Sequence, residues 1–167
     1  LNMSLKKMAP FSSFPFLLAT GVKARNCNEQ GFPSSKEYIS LAKLSDSVKS
    51  RVEKTTSAIL CGTFTYQCQR LDYYYIHDTA WIRAKLVRFY TEYFPGYEFF
   101  IQLKAEPGWS TYKDFLYPDE KMQDYMANQK LLMALQRAGD KLNRARPIDH
   151  TAYFPDERSV NNFLSFL

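Results

Sequence analysis

Apolar residues recur at every second position, or run without interruption, in four short segments of this chain. These segments are residues 14–23, 58–66, 71–76 and 97–104. Such patterns, rich in aromatic and β-branched residues, are typical of β-strands. Because only residues 67–70 separate the second segment from the third, we expect these two strands to form a hairpin.

Two intervals between these strands carry the spacing of amphipathic helices. The first begins at Ser34, whose hydroxyl is predicted to accept from the Glu37 backbone N–H while the Glu37 carboxylate reaches back in a capping box. The second is predicted to have Asp78 as its N-cap and to end at Pro95-Gly96. The predicted apolar stripes are Leu41, Leu44, Val48 and Val52 in the first helix, and Ile82, Leu86, Phe89 and Tyr93 in the second.

The resulting order, β-α-β-β-α-β, predicts an α+β fold with a ferredoxin-like antiparallel sheet and both helices on one sheet face. The other face is expected to be open. Residues 106–117 are predicted to be an aromatic linker, and the chain is expected to divide into domains at residues 1–118 and 119–167.

The second domain is predicted to be an additional α-β-α segment. A helix begins at Glu120 and ends at Gly139, residues 147–154 are predicted to be a strand, and Asp156 caps a last helix. One side of the last helix is apolar, with Val160, Phe163, Leu164 and Leu167. We expect this side to dock on the open sheet face of the same chain, which favours a monomer; a homodimer is the alternative, because the strand offers a free edge.

The charge distribution bears on whether the protein binds nucleic acid. The net charge of +5 comes from residues 1–118, with 15 Lys+Arg against 10 Asp+Glu, whereas residues 119–167 carry 7 of each. The basic residues are dispersed along the helices, as in Arg83, Lys85 and Arg88 or Lys49, Arg51 and Lys54, which favours solvated helix faces over a nucleic-acid footprint.

The three cysteines, Cys27, Cys61 and Cys68, form no CxxC pair and no Cys/His cluster. We interpret them as reduced thiols of a cytoplasmic protein. The prolines Pro10 and Pro15 interrupt the N-terminal apolar stretch, so it is not expected to be a signal peptide, and Leu1 is expected to lie inside a longer product. No stretch is apolar for long enough to cross a membrane.

Catalytic and metal-binding motifs are not found. Each of the two histidines, His77 and His150, is adjacent to an aspartate, but Asp78 is explained as an N-cap, and Asp149 is expected to face the opposite side of its strand from His150. The histidines and cysteines are scattered without ligand spacing, and neither a GxSxG elbow nor a phosphate-binding glycine loop occurs. We therefore predict no catalytic residue, no metal, no cofactor and no enzymatic activity.

Three consecutive tyrosines, Tyr73, Tyr74 and Tyr75, leave an RNA-binding alternative open, since ferredoxin-like RNA binders stack bases on sheet aromatics. The strand lacks the glycine-bearing signature of such binders. We favour an arrangement in which helices cover one tyrosine face and residues 106–167 cover the other.

Four short motifs occur along the longer part of the chain: residues 14–18 (FPFLL), 31–33 (GFP), 94–97 (FPGY) and 107–118 (PGWSTYKDFLYP). With these motifs, the stretch from about residue 14 to residue 117 resembles a bacterial domain of unknown function, number 695. The resemblance implies a fold and transfers no catalytic residue, because that family has no assigned activity.

Residues 139–154 (GDKLNRARPIDHTAYF) resemble the opening of the regulator of ribonuclease E activity B family, here expected as a partial module. Together the two resemblances imply a cytoplasmic bacterial module that regulates by protein contact, with a ribonuclease-related partner, and RNA binding through the sheet face and basic helices as the alternative. The candidate interaction surface consists of Trp109, Tyr112, Arg144, Arg146, Asp149, His150 and Tyr153.

Overall fold

Strands and helices alternate through the first part of the chain, as the hydrophobic pattern predicts. The computed structural model describes residues 1–143, 145 and 151–166, and the chain divides into two compact units, Leu1–Asp119 and Glu120–Leu167. None of the helices in the described part of the chain combines the length and apolar character needed to span a membrane.

Unit 1 is built on a four-stranded antiparallel sheet. Its strands, in chain order, are β1 (Phe16–Lys23), β2 (Ala58–Tyr66), β3 (Gln69–Ile76) and β4 (Phe99–Ala105). The strand order across the sheet is β2-β3-β1-β4, and every neighbouring pair is antiparallel. The predicted hairpin of β2 and β3 is confirmed, and β3 begins two residues before its predicted start.

Two helices, α1 (Ser35–Glu53) and α2 (Ile82–Tyr93), pack on one face of this sheet. All four predicted apolar positions of α1 are buried. In α2 the predicted stripe is wrong at its last position, because Tyr93 is 58% exposed and Tyr90 is buried instead. The Tyr90 hydroxyl lies 3.0 Å from the Thr20 hydroxyl of β1, so the helix turns this aromatic residue toward a polar partner in the core.

The start of α1 follows only half of the predicted capping box. Ser34 Oγ accepts from the Glu37 backbone N–H at 3.4 Å, as expected. The buried Glu37 carboxylate does not reach back to Ser34; it accepts instead from the backbone N–H groups of Arg25 and Asn26, at 2.6 Å each. Glu37 therefore holds the loop that follows β1 against the helix.

Asp78 is not the N-cap of α2, which corrects the sequence prediction. Its carboxylate accepts from the Ala80 backbone N–H at 2.7 Å and so makes a turn before the helix. The N-cap is Trp81, which has φ 61° and provides no side-chain cap. The helix thus begins about one turn later than the aspartate indicates.

The β2–β3 turn is tied to the loop after β1 by a cysteine pair. Gln67 and Cys68 both have positive φ, 46° and 64°, the conformation of a type I′ hairpin turn. Cys68 is bonded to Cys27, and its backbone N–H donates to the Gly31 carbonyl at 2.8 Å. The prediction of three reduced thiols is therefore wrong for this pair, because the fold brings together two cysteines that are 41 residues apart. Cys61 is free and buried.

The second sheet face, which the two helices leave open, is partly covered, as the favoured placement of residues 106–167 over the tyrosines predicts. A 3₁₀ helix (Met3–Lys7) and a π-helix (Thr111–Leu116) pack over it. The cluster on this face contains Leu5, Leu17, Cys61, Tyr75, Trp109 and Tyr112. The predicted linker is therefore a structural layer of unit 1.

The described residues of unit 2 include two helices, α3 (Glu120–Arg137) and α4 (Glu157–Leu164). Gly139 follows α3 with φ 90°, and Asp156 caps α4 by accepting from the Ser159 N–H at 2.8 Å, both as predicted. Of the predicted strand, residues 151–154 are not in a strand, and residues 147–150 lie outside the described residues. No residue of α3 or α4 is buried.

Candidate interaction surfaces

The two aromatic candidates of the predicted linker, Trp109 and Tyr112, lie in the core of unit 1. Both are fully buried. Trp109 stacks on Tyr75 with ring centroids 3.9 Å apart, and its indole N–H donates to the Phe14 carbonyl at 2.9 Å. The Tyr112 hydroxyl donates to the Asn2 carbonyl at 2.9 Å. Their assignment to an interaction surface is corrected: these rings cover the sheet and have their polar atoms satisfied within the fold.

Glu106 organises the turn that positions Trp109. Its carboxylate accepts from the Tyr75 hydroxyl (2.5 Å), Lys104 Nζ (3.0 Å), Ser110 Oγ (2.8 Å), and both the N–H and hydroxyl of Thr111 (3.2 and 3.1 Å). Burial disfavours the charged form, but these hydrogen bonds outweigh it and lower the pKa of Glu106 to about 2. The carboxylate is thus an ionised structural hub.

The three consecutive tyrosines are distributed over both sheet faces. Tyr74 is buried beneath the helices, and its hydroxyl has no hydrogen-bond partner among the described residues. Tyr75 lies beneath Trp109, as the favoured arrangement requires. Tyr73 is half-buried and contacts Phe115, with ring centroids 6.0 Å apart. Neither Tyr74 nor Tyr75 can therefore stack on a base in this structure.

An exposed aromatic patch remains on the second face, near the β2–β3 turn. Phe64, Tyr66 and Phe115 are 39%, 58% and 52% exposed. Phe115 joins the patch to the π-helix, with its ring centroid 5.0 Å from that of Phe64. The sequence places two of these residues on β2 but does not indicate their exposure, because that depends on where the π-helix ends.

Three basic side chains of the two helices contact partners within the chain. Arg88 lies 3.5 Å from Glu92, and Lys49 lies 3.9 Å from Glu53, each one helical turn away. Arg51 lies over the Phe89 ring at 5.1 Å. These contacts support the interpretation of solvated helix faces.

Of the C-terminal candidates, the structure describes only Tyr153, which is 92% exposed. Arg144, Arg146, Asp149 and His150 lie outside the described residues, and their role stays a prediction. His77, the other histidine, contacts the Ser13 carbonyl through Nδ1 at 2.8 Å. Within the described part of the chain, no three His, Cys, Asp or Glu side chains are grouped as metal ligands would be.

Three large apolar side chains near the end of unit 2 are exposed. Phe163, Leu164 and Phe166 are 41%, 60% and 87% exposed, and we call them the α4 apolar surface. Phe163 also contacts Phe154, with ring centroids 5.2 Å apart. The sequence identifies the apolar side of this helix, and the docking of that side stays a prediction; the candidate surface derived from the sequence does not include Phe163, Leu164 or Phe166. The other exposed large apolar side chains of unit 2 are Met122, Tyr125, Leu131, Leu132, Met133 and Tyr153.

The boundary between the two units lies in the interval that separates two family matches. Residues 126–167 match the family described as regulator of ribonuclease activity B. We found no significant similarity to a curated protein or to a solved structure. Residues 1–117, most of the chain, match the family of unknown function DUF695. The sheet, both of its helices and the aromatic cover all fall within that match, and the chain belongs to the DUF695 family.

Proposed function

We propose that this chain is a non-catalytic regulatory module of the bacterial cytoplasm that acts by binding a protein. The observation that carries the proposal is the α4 apolar surface, because three large apolar side chains within residues 163–166 are exposed and exposed apolar patches mark interaction sites. Burying each of these side chains is worth roughly 1.5–3 kcal/mol. A helix that presents such a face fits an apolar groove on a partner.

The partner that we propose is a ribonuclease of the type that the regulator family controls. The α4 apolar surface lies within the segment that is similar to the regulators of ribonuclease activity B. Tyr153, with Arg144, Arg146, Asp149 and His150 from the same stretch of sequence, is proposed to extend the contact. Unit 1, which we assign to the ferredoxin-like class from its strand order, would support this module.

Several observations support a role without catalysis. The ionised carboxylate of Glu106 is engaged by four residues of its own unit. Burial raises the pKa of Cys61 to about 12, which keeps this thiol protonated and unreactive at neutral pH. Neither matched family is described by an enzymatic activity.

Affinity capture from a bacterial lysate, with and without ribonuclease A treatment, tests the proposal. The double variant Phe163→Asp/Leu164→Asp should lose the captured ribonuclease, because each aspartate would be buried at the contact. The matched control Asn161→Asp/Asn162→Asp adds the same charge to α4 outside the α4 apolar surface and should capture normally.

Two outcomes would contradict the proposal. Capture that disappears after ribonuclease A treatment would show that RNA bridges the partners, which is the RNA-binding alternative. Equal capture of the ribonuclease by the wild type and by the Phe163→Asp/Leu164→Asp variant would show that the contact lies elsewhere.

A further inference from the structure

The two edge strands of the sheet in unit 1, β2 and β4, differ in how well they are protected from pairing with another strand. On β2, the outer edge is irregular between Leu60 and Gly62, and the Asn2 N–H donates to the Cys61 carbonyl at 2.7 Å. On β4, the strand runs in uninterrupted register with β1 and contains no proline. Bulges, prolines, covering segments and charged side chains are devices that prevent edge strands from pairing. β2 has a bulge and a covering segment, whereas β4 has neither a bulge nor a proline and carries one charged side chain, Lys104.

The backbone direction of β4 follows from its bonds to β1. Lys23 N donates to the Glu98 carbonyl at 2.8 Å, and Glu106 N donates to the Pro15 carbonyl at 2.7 Å. In an antiparallel strand, the backbone N–H and C=O groups of successive residues point to opposite sides of the strand. The groups of the even-numbered residues of β4 therefore point toward β1, and those of the odd-numbered residues point away from it. The outward N–H and C=O groups belong to Phe99, Ile101 and Leu103, and none of them has a backbone partner among the residues that the structure describes.

We propose that β4 pairs antiparallel with β4 of a second copy of this chain, which joins two four-stranded sheets into one. A two-fold axis at Ile101 places this residue opposite its own copy and places Phe99 opposite Leu103. These are the residues whose outward groups are free, so each pair can exchange two backbone hydrogen bonds. The outward N–H groups of each β4 strand thus lie opposite outward carbonyl groups of the other copy.

Charge complementarity favours a second copy in this register. The axis at Ile101 places Glu98 opposite Lys104 of the second copy, and the symmetry repeats that pair. Both side chains are exposed, at 63% and 57%; within the chain Glu98 lies 3.8 Å from Lys23, and Lys104 lies 3.0 Å from Glu106. The contacts to the second copy would be made in addition to these pairs, at non-hydrogen-bonded positions, where cross-strand side chains approach most closely. Moving the axis to Leu103 would place Glu98 opposite Gly108 and remove both ion pairs.

The outer side of α2 supplies the apolar area that a strand pair alone lacks. Arg83 and Val87 of this helix border the same hollow as Phe99 and Ile101 of β4. Val87 is 40% exposed, and Trp81, at the start of the helix, is 76% exposed. In the paired sheet the two copies of α2 lie on the same face beside the axis, where these side chains can leave water. A stable interface needs on the order of 1,000 Å² in total, which requires such a contribution.

Multi-angle light scattering of the full chain tests the pairing. The wild type should have twice the chain mass of 19.5 kDa at concentrations on the order of 10–100 µM. Ile101→Pro removes an outward N–H and leaves the bonds to β1 intact, so it should give a folded monomer. Glu98→Lys places like charges opposite each other and should weaken dimerisation at least tenfold. Glu29→Lys makes the same charge change outside β4 and should remain dimeric.

Circular dichroism and thermal unfolding establish that each variant is folded, and Glu98→Lys, at an exposed position, keeps the test valid if Ile101→Pro does not fold. A monomeric wild type would overturn the proposal. A dimer that persists in the folded Glu98→Lys and Ile101→Pro variants would also overturn it. A dimer that is lost in Phe163→Asp but kept in the β4 variants would assign the contact to α4 instead.

Discussion

The Glu106 carboxylate stabilises the aromatic residues that cover the second face of the sheet. Its side chain is only 6% exposed, yet it is held ionised by a tyrosine, a lysine and two hydroxyl residues. Through Tyr75 it fixes the ring on which Trp109 stacks, so the carboxylate and the aromatic cover depend on each other. Removing the charge should therefore loosen the cover of the second sheet face.

Glu106→Gln should lower the free energy of unfolding at pH 7 by about 2–3 kcal/mol, since hydrogen bonds to a charged group are replaced by weaker ones and an amide N–H meets donors. The folded-state pKa of about 2 lies below the ordinary value of 4.5, so the wild type loses this stabilisation as the pH falls from about 4.5 to 2. Urea unfolding across this range checks the prediction. A variant that retains the steep acid dependence of the wild type would contradict it.

Single residues were predictable from the sequence where their partners are local. Ser34 and Asp156 accept from backbone groups three residues ahead, and both were recognised from spacing alone. The prediction for Glu37 is wrong because its carboxylate accepts from the backbone N–H groups of Arg25 and Asn26, which only the folded loop brings near. Trp109 was misassigned for the same reason, since its stacking partner is 34 residues away in the chain.

The β2–β3 hairpin illustrates how one element depends on another. Its turn has two non-glycine residues with positive φ, a conformation that ordinarily favours glycine or asparagine. Gly31 approaches the turn so closely that a Cβ there would lie 3.0 Å from the Gln67 Cα. The loop after β1 therefore supports the turn through Gly31 and through the Cys27–Cys68 pair.

Replacing Cys27 by serine should destabilise unit 1 by up to about 4 kcal/mol, because the chain-entropy relation assigns this much to closing a loop of 41 residues. Thermal unfolding with and without reductant checks this prediction. Reductant should destabilise the wild type and leave Cys27→Ser unchanged. Cys61→Ser is the matched control and should keep the response to reductant; an equal response in both variants would contradict the assigned pairing.

At the scale of elements, the periodicity of the sequence predicted all four strands and four α-helices of the described chain. It did not predict the π-helix at Thr111–Leu116, because its apolar residues follow no strand or helix spacing. Nor did it predict the cysteine pair, since spacing rules apply to ligands and thiols that are close in sequence. The π-helix and the cysteine pair both depend on contacts between residues that are distant in the sequence.

The whole molecule consists of one unit with two buried clusters and one unit whose helices bury no residue. All members of both clusters belong to unit 1. The similarity to two different families follows the same division, with DUF695 matching residues 1–117 and the regulator family matching residues 126–167. Folding and partner binding are therefore expected to be separable.

Residues 1–119 alone should fold and unfold cooperatively, at a temperature within a few degrees of the full chain, since their clusters are complete. Circular dichroism melting of the isolated unit checks this expectation. A broad, non-cooperative transition in the isolated unit would show that residues 120–167 are needed for its fold.

The most direct test of the central claim is the binding of the full chain to purified ribonuclease E, measured by biolayer interferometry. We predict saturable binding with a Kd of about 1 µM or tighter, weakened at least tenfold by Phe163→Asp/Leu164→Asp and unchanged by Asn161→Asp/Asn162→Asp. Absence of binding, or equal affinity of the wild type and the Phe163→Asp/Leu164→Asp variant, would contradict the account.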